Sequence, residues 1–182
     1  DEFVKRITEV ASKQKLGNPF DDGTDQGPLV DKDQQDKFKM YVQAGVAEGA
    51  RLTTGGKVPE GKGFFAQPTV FTDVRDDMRI AKEEIFGPVM SVLKFKTLDE
   101  VIERANNSSY GLGAGVVGTD ISKLNYVISK LRVGQVYVNC YNSFDVSTPF
   151  GGFKNSGIGR ELGENGLNQY VEAKTVIINN LI

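Results

Sequence analysis

Residues Val89–Asn107, with the sequence VMSVLKFKTLDEVIERANN, decide the fold class because a strand pattern runs directly into a helix pattern. The first part, VMSVLKF, is rich in apolar side chains, which is typical of a buried strand. Thr97 and Glu100 then form a T-x-x-E capping box, which predicts a helix through LDEVIERANN. A strand followed at once by a capped helix is typical of a layered α/β protein.

The same alternation extends toward both ends of the sequence. Helical patterns cover DEFVKRITEVASKQKLGNPF, in which Gly17 and Pro19 end the helix, and also DQQDKFKMYVQAGVAEG, ISKLNYVISKLR and, as a short helix, GRELGENGLNQY. Strand patterns cover RLTTGG, PTVFTDV, GLGAGVVG, GQVYVNCY and AKTVIINN. The fold class is therefore predicted to be α/β, with a layered, largely parallel sheet and flanking helices. The last strand is flanked by polar residues, so it could instead pair with a different sheet or with another subunit.

Composition excludes several classes of function. The 182 residues carry 22 basic and 24 acidic side chains without a basic block, which argues against nucleic acid or an anionic membrane as a partner. The sequence holds no histidine, so neither a Ser-His-Asp nor a Cys-His site can be built within it. Cys140 is the only cysteine, which excludes a disulfide scaffold and a Cys/His zinc site, and no metal site is predicted.

The sequence shows neither a signal peptide nor an apolar run near the ~18 residues that span a bilayer. It starts with Asp1 rather than Met, directly in a helical pattern, and we expect it to be cut from something longer. A single cysteine fits a reduced, intracellular setting.

The glycine-rich stretch PFGGFKNSGIGRELGENG, residues 149–166, does not match a phosphate-binding motif. A dinucleotide fingerprint reads G-x-G-x-x-G directly between a strand and a helix, whereas GIGRELG has one residue too many before its third glycine. We predict instead that Gly151, Gly152, Gly157 and Gly159 allow a tight loop that approaches another backbone closely.

Four long segments together resemble the C-terminal part of the NAD(P)-dependent aldehyde dehydrogenase superfamily: AKEEIFGPVMSVLKF, RANNSSYGLGAGV, GQVYVNCYN and PFGGFKNSGIGRELGENGLNQYVEAKTV. The resemblance covers essentially the whole chain and is nearest to the tetrameric enzymes of cytosol and mitochondria. It implies that residues 1–170 are the C-terminal portion of the catalytic domain. It also implies that residues 171–182 are the terminal strand of the oligomerisation region, so a homo-oligomer, either a tetramer or a dimer, is expected.

The resemblance assigns four residues to the cofactor, which is NAD or alternatively NADP. The second glutamate of E-E-I-F-G-P, here Glu84, would bind the hydroxyls of the nicotinamide ribose, since a carboxylate accepts two hydrogen bonds from a vicinal diol. Phe86 would pack beside the nicotinamide, and Gln34 and Lys37 would reach toward the adenosine half. Without the resemblance, Glu83 and Glu84 would be interpreted as solvated acidic residues before a Gly-Pro turn. Gln34 and Lys37 likewise read as solvated helix residues.

The loop from Asn142 to Phe150 matches the mouth of the aldehyde pocket in the same resemblance. Phe150 would line the pocket near the reacting carbon, Phe144 would lie further out, and Asn142 would begin the loop. An aromatic wall suits an apolar aldehyde and helps to exclude water. The alternative, ordinary core packing, is expected of Phe153 more than of Phe150.

No catalytic residue is assigned within this sequence. In the family a cysteine thiolate attacks the aldehyde, an asparagine and a backbone N–H stabilise the oxyanion, and a glutamate activates the water that hydrolyses the thioester. The motifs that carry these groups are missing here, so the remainder of the enzyme is an expected partner. Cys140 ends a strand that is predicted to be buried, and a buried cysteine usually behaves as a small apolar residue.

Three interpretations follow from the sequence. The first is part of an aldehyde dehydrogenase, inactive by itself, in the cytoplasm or alternatively in the mitochondrial matrix. The second is a non-catalytic truncated or structural relative of that family. The third is a self-contained domain that uses its glycine loop to bind an anion.

Overall fold

The computed structural model describes residues 1–179, and residues 180–182 lie outside the described part. The chain divides into two compact units, one from Asp1 to Lys94 and one that begins at Phe95. This division falls inside residues 1–170, which the resemblance treats as one part of a catalytic domain. The predicted boundary after residue 170 stays a prediction.

The first unit combines helices with a three-stranded sheet. Its helices are α1 (Glu2–Lys13), α2 (Lys32–Ala47) and α3 (Arg79–Lys82), and its strands are β1 (Arg51–Thr54), β2 (Thr69–Thr72) and β3 (Val89–Ser91). The strand order is β1-β2-β3, in which β1 pairs antiparallel with β2 and β2 pairs parallel with β3. Because β2 is the central strand, all four of its residues are buried.

The core of the first unit includes residues of α2 and of the central strand. Phe38 of α2 and Phe71 of β2 are fully buried in the same apolar cluster. Burial of a side chain of this size stabilises a fold by about 1.5–3 kcal/mol. Asp31 caps α2 by accepting a 2.8 Å hydrogen bond from the backbone N–H of Gln34, which fixes the first turn of the helix.

The second unit contains a parallel β-α-β arrangement and a short antiparallel pair. Its elements are α4 (Leu98–Asn106), β4 (Tyr110–Gly111), β5 (Gly113–Val116), α5 (Ile121–Lys130), β6 (Gln135–Val138), β7 (Phe153–Lys154) and α6 (Gly163–Leu167). Strand β5 pairs parallel with β6 on either side of α5 in the sequence, and β4 pairs antiparallel with β7.

The predicted capping box at the start of α4 is present in a shifted form. The Thr97 hydroxyl accepts a 3.2 Å hydrogen bond from the Glu100 backbone N–H, as expected of an N-cap. The Glu100 carboxylate, however, accepts its 2.8 Å hydrogen bond from Lys96, one residue before the cap. The two bonds together satisfy backbone donors that the helix itself cannot pair.

The α/β class predicted from the sequence is confirmed, and the sheets are shorter and more mixed than the sequence indicates. Among the described residues, two strand pairs are parallel and two are antiparallel. The predicted last strand is not formed over residues 173–179, which are exposed and belong to neither helix nor sheet. A strand needs a neighbour for its backbone hydrogen bonds, and no described strand pairs with this segment. The end of that prediction, Asn180, lies outside the described residues.

The glycine loop folds tightly, as the sequence predicts. Phe150 and Glu161 exchange two backbone hydrogen bonds of 2.7 Å each, which close the loop. A Cβ atom on Gly134 would lie 1.6 Å from the carbonyl oxygen of Gly151, and Gly157 has a φ of +136°. Glycine is therefore needed here both for close backbone contact and for a left-handed conformation.

No helix within residues 1–179 is both long and apolar enough to cross a membrane. The same part of the chain holds no group of three or more His, Cys, Asp or Glu side chains placed to bind a metal ion.

Candidate cofactor and substrate sites

The segment Glu83–Pro88, which carries the predicted ribose-binding residue, is anchored at its start by the Glu83 carboxylate. That carboxylate accepts two 2.9 Å hydrogen bonds from the Arg79 guanidinium and one of 3.0 Å from the Tyr41 hydroxyl. The bonds from Arg79 lower the pKa of Glu83 from 4.5 to about 2, so the group is charged at neutral pH. Burial, together with the bond to Glu83, raises the pKa of Tyr41, which therefore remains a donor.

A second anchor holds the middle of the same segment. The side-chain nitrogen Nε2 of Gln34 donates hydrogen bonds to the backbone carbonyls of Ile85, at 3.0 Å, and Phe86, at 2.7 Å. Gln34 is only 9% exposed. It is therefore not the solvated helix residue that its position alone suggests, because it connects the first turn of α2 to the E-E-I-F-G-P motif.

The two anchors leave Glu84 and Phe86 on the surface. Glu84 is exposed, and its carboxylate forms no hydrogen bond or ion pair with any other residue of the described chain. Phe86 is 74% exposed and has a φ of +53°, a region that residues other than glycine seldom adopt. A residue in such a conformation persists only where its surroundings hold it, and the bond from Gln34 to its carbonyl does so.

Lys37, the fourth residue predicted to contact the cofactor, is exposed on α2 three positions after Gln34. Residues at this spacing are neighbours on a helix surface, so the structure brings these two predicted residues together. Tyr41 and Arg79 were not identified from the sequence. The four-residue spacing of Arg79 and Glu83 was an available signal for their ion pair, whereas the contact with Tyr41 joins distant parts of the chain.

In the second unit the predicted substrate residues Phe144 and Phe150 belong to one aromatic cluster. Their rings lie edge-on with centres 5.6 Å apart, and the ring of Tyr137 lies 6.3 Å from that of Phe144. The cluster borders a cavity of about 260 Å³, which Cys140 also lines. Asn142 is exposed with a φ of +57° and does not line this cavity. Aromatic walls of this kind are typical of sites for apolar ligands.

Two expectations about the neighbours of this cluster are wrong. Cys140 is exposed rather than buried, because β6 ends at Val138 and the chain has left the sheet before the cysteine. Phe153 does not pack into a core, since it is 37% exposed and the guanidinium of Arg160 lies 5.2 Å from its ring centre. Phe150, by contrast, is half-buried.

Comparison with known proteins shows extensive similarity to one family. The model of the aldehyde dehydrogenase family matches residues 1–176. Retinal dehydrogenase 2 of Rattus norvegicus is 57% identical over 178 residues, which cover 98% of this chain and 34% of the rat protein. The mitochondrial aldehyde dehydrogenase of Homo sapiens is 55% identical over 178 residues, again covering 98% of this chain and 34% of the relative.

The fold is similar to solved structures of the same family. The NAD+ complex of aldehyde dehydrogenase from Bacillus cereus superposes with a TM-score of 0.95 at 50% identity, covering 98% of this chain and 36% of that chain. The present chain therefore spans about a third of the length of the relatives that it matches.

Proposed function

This chain belongs to the aldehyde dehydrogenase family, and we propose on that basis that it forms part of an oxidoreductase that oxidises aldehydes to carboxylic acids with NAD. The observation that carries the proposal is the unpaired Glu84 carboxylate, which lies between the anchored side chain of Glu83 and the anchored backbone carbonyl of Ile85. A charged group on a fixed backbone is what a site needs to orient a ligand.

The residues around the motif fit the nicotinamide half of the cofactor. Glu83 already accepts three hydrogen bonds from Arg79 and Tyr41, whereas Glu84 accepts none from the described chain and can accept two from a vicinal diol. The exposed ring of Phe86 can pack against a flat heterocycle. When bound, NAD would supply the acceptor for the hydride. We propose NAD as the cofactor, with NADP as the alternative.

The adenosine half of the cofactor is the proposed partner of Lys37 and, by resemblance, of Gln34. Lys37 is exposed and can present its ammonium group to a ribose or phosphate oxygen. Gln34 already uses its side-chain nitrogen for two backbone carbonyls, so it could reach a ligand only with its oxygen.

The aldehyde is proposed to bind against the aromatic cluster of the second unit. Phe150 would face the reacting carbon and Phe144 would line the outer part of the pocket, with Asn142 at the start of the loop. The edge-on contact of the two phenylalanine rings supports this arrangement, because it makes a continuous apolar wall that disfavours water.

The nucleophile is proposed to come from the remainder of the enzyme. In the family it lies in a G-Q-x-x-C context, which these 182 residues do not contain, so we assign no catalytic role to Cys140. Assembly as a homotetramer or dimer, and a location in the cytoplasm or alternatively the mitochondrial matrix, belong to the same proposal. Residues 171–182 would contribute to that assembly.

One set of measurements tests the proposal. The first is the intact mass of the natural polypeptide: a mass far above 19.9 kDa supports the enzyme, and a mass near it favours a non-catalytic relative. The second is aldehyde-dependent formation of reduced NAD, which we expect from the complete protein and not from these 182 residues alone. Activity of the short chain would overturn the placement of the nucleophile. In the complete protein, Glu84→Gln should weaken NAD binding.

A further inference from the structure

We infer that Gln34, Tyr41 and Arg79 are positioning residues for the segment Glu83–Pro88, an inference that rests on the proposed function. They fix the backbone that carries the cofactor-binding side chains before the cofactor arrives. They do so without contributing a group to the reaction itself.

The E-E-I-F-G-P motif has no regular secondary structure of its own. Residues 84–87 belong to neither a helix nor a strand, and they connect α3 to β3. Loops without such support are usually the most mobile parts of a domain. A loop that must present a carboxylate and a ring together therefore needs external tethers.

Hydrogen bonds hold the segment Glu83–Pro88 at its start, its middle and its end. Glu83 is held by Tyr41 and Arg79, and the carbonyls of residues 85 and 86 are held by Gln34. The carbonyl of Pro88 accepts a 2.8 Å hydrogen bond from the backbone N–H of Thr69 in β2. None of these bonds uses the side chain of Glu84 or Phe86, the two residues proposed to meet the nicotinamide half of the cofactor.

Two of the residues that hold the segment, Gln34 and Tyr41, belong to one helix that packs into the core. Gln34 and Tyr41 are seven residues apart on α2, which places them two turns apart on the same face. Phe38 lies between them and is fully buried in the core, and Tyr41 is only 8% exposed. The helix thus acts as a fixed template for the loop, and pre-formed loops lose less conformational freedom when a ligand binds.

The donors of Gln34 distinguish a positioning role from direct contact with the cofactor. An amide side chain has two N–H donors, and Gln34 spends both on backbone carbonyls. If its main role were to bind the cofactor through its oxygen, removing it would weaken binding without loosening the free loop. If it is a positioning residue, the loop must loosen even when no cofactor is present.

The chain offers a matched control in Gln35. It lies next to Gln34 on α2, is 7% exposed, and likewise donates a 3.0 Å hydrogen bond from Nε2 to a backbone carbonyl, that of Phe65. Gln34→Ala and Gln35→Ala therefore remove the same type of hydrogen bond from two different loops, two bonds in the first variant and one in the second. Tyr41→Phe is a second test variant that removes only a hydroxyl and leaves the buried ring in place.

The experiment uses the complete protein that carries this chain. The first readout, without cofactor, is the rate of chymotrypsin cleavage after Phe86, and the second is the dissociation constant of NAD from calorimetry. We expect Gln34→Ala to accelerate cleavage and to weaken NAD binding by about tenfold. Tyr41→Phe should act in the same direction with a smaller effect, and Gln35→Ala should change neither readout.

The outcomes distinguish the inference from the function on which it rests. Weakened NAD binding by Gln34→Ala with unchanged cleavage would overturn positioning in favour of direct contact. Equal effects of Gln34→Ala and Gln35→Ala would show that Gln34 contributes only to the overall stability of the fold. That result would also overturn its positioning role. If Gln34→Ala does not fold, Tyr41→Phe decides by the same two readouts. Unchanged NAD binding in Glu84→Gln would instead contradict the proposed role of Glu84 in cofactor binding. The cleavage rates would still show whether Gln34 and Tyr41 position the loop.

Discussion

The hydroxyl of Tyr41 and the carboxylate of Glu83, which are 42 residues apart in the sequence, are joined by a 3.0 Å hydrogen bond. This bond, with the two from Arg79, distinguishes the two adjacent glutamates of the motif. Glu83 holds the segment in place, and Glu84 remains available for a ligand. The two glutamates are adjacent and chemically identical, yet their roles differ. Only Glu83 lies within hydrogen-bond distance of Tyr41 and Arg79.

The depressed pKa of Glu83 predicts a specific dependence of stability on pH. Its pKa is about 2 in the folded chain against an ordinary value of 4.5, so the folded state binds fewer protons between these values. The contribution of Glu83 to stability is therefore present above pH 4.5 and is lost as the pH falls toward 2. We expect urea midpoints to fall less steeply with acid in Glu83→Gln than in the unaltered chain.

The neighbouring carboxylate provides the control for this experiment. Glu84→Gln changes a side chain with no partner in the described chain and leaves the hydrogen bonds to Glu83 in place, so the loss of stability caused by protonation of Glu83 should persist. Both variants retain the other carboxylates, so the difference between their profiles isolates Glu83. Identical profiles for the two variants would show that the bonds from Arg79 and Tyr41 do not stabilise the fold.

The close approach of the glycine loop to its neighbour predicts that Gly134→Ala is destabilising. A Cβ there would lie 1.6 Å from the carbonyl oxygen of Gly151, so one backbone must move. Overpacking of this kind costs about 1–3 kcal/mol of unfolding free energy. Gly113→Ala is the matched control, because its Cβ would meet only Tyr137, at 3.8 Å. Comparable stability of the two variants in urea would contradict the geometry of the loop.

Elements with several turns or several apolar residues could be predicted from the sequence, and the shortest could not. Helices α4 and α5 and strand β6 lie within their predicted segments, since periodicity and caps extend over many positions. Helix α3 has four residues and β7 has two, which is too few for any period to be visible. The absence of a strand over residues 173–179 follows from pairing, which the sequence of one segment does not determine.

The exposed residues of the candidate site were named from the sequence, and the contacts that support them were not. Glu84 and Phe86 were identified by a resemblance of the whole motif. The role of Gln34 was hidden because the carbonyls it binds lie 51 and 52 residues away in the sequence. Such contacts depend on how α2 packs on the core, and no local pattern in the sequence encodes that packing.

The exposure of Cys140 predicts that its thiol reacts without unfolding. We expect a disulfide reagent such as DTNB to titrate one thiol for each native chain, the same stoichiometry as in denaturant, because Cys140 is exposed and is the only cysteine. A Cys140→Ser variant should show no reaction and should retain the fold by circular dichroism. A native thiol that reacts only after denaturant is added would show that the end of β6 is covered.

Exposed apolar side chains at both ends of the described chain predict that these 182 residues associate when purified alone. In the first helix Phe3 is 61% exposed, and near the other end Ile177 and Ile178 are 89% and 80% exposed. Contiguous apolar surface favours association, and an extended segment without a partner favours pairing between chains. Sedimentation velocity should therefore detect species larger than a monomer.

Substitutions distinguish association through the terminal segment from nonspecific association through other exposed apolar side chains. The double variant Ile177→Asp with Ile178→Asp should lower the average sedimentation coefficient, because the charges oppose burial of that segment between chains. Val117→Asp is the matched control, since Val117 is 84% exposed and lies outside the terminal segment. If the control lowers association as much as the double variant does, the terminal residues have no special part in assembly. A stable monomer of the unaltered chain at all concentrations would contradict the prediction that the exposed apolar side chains at its two ends drive association.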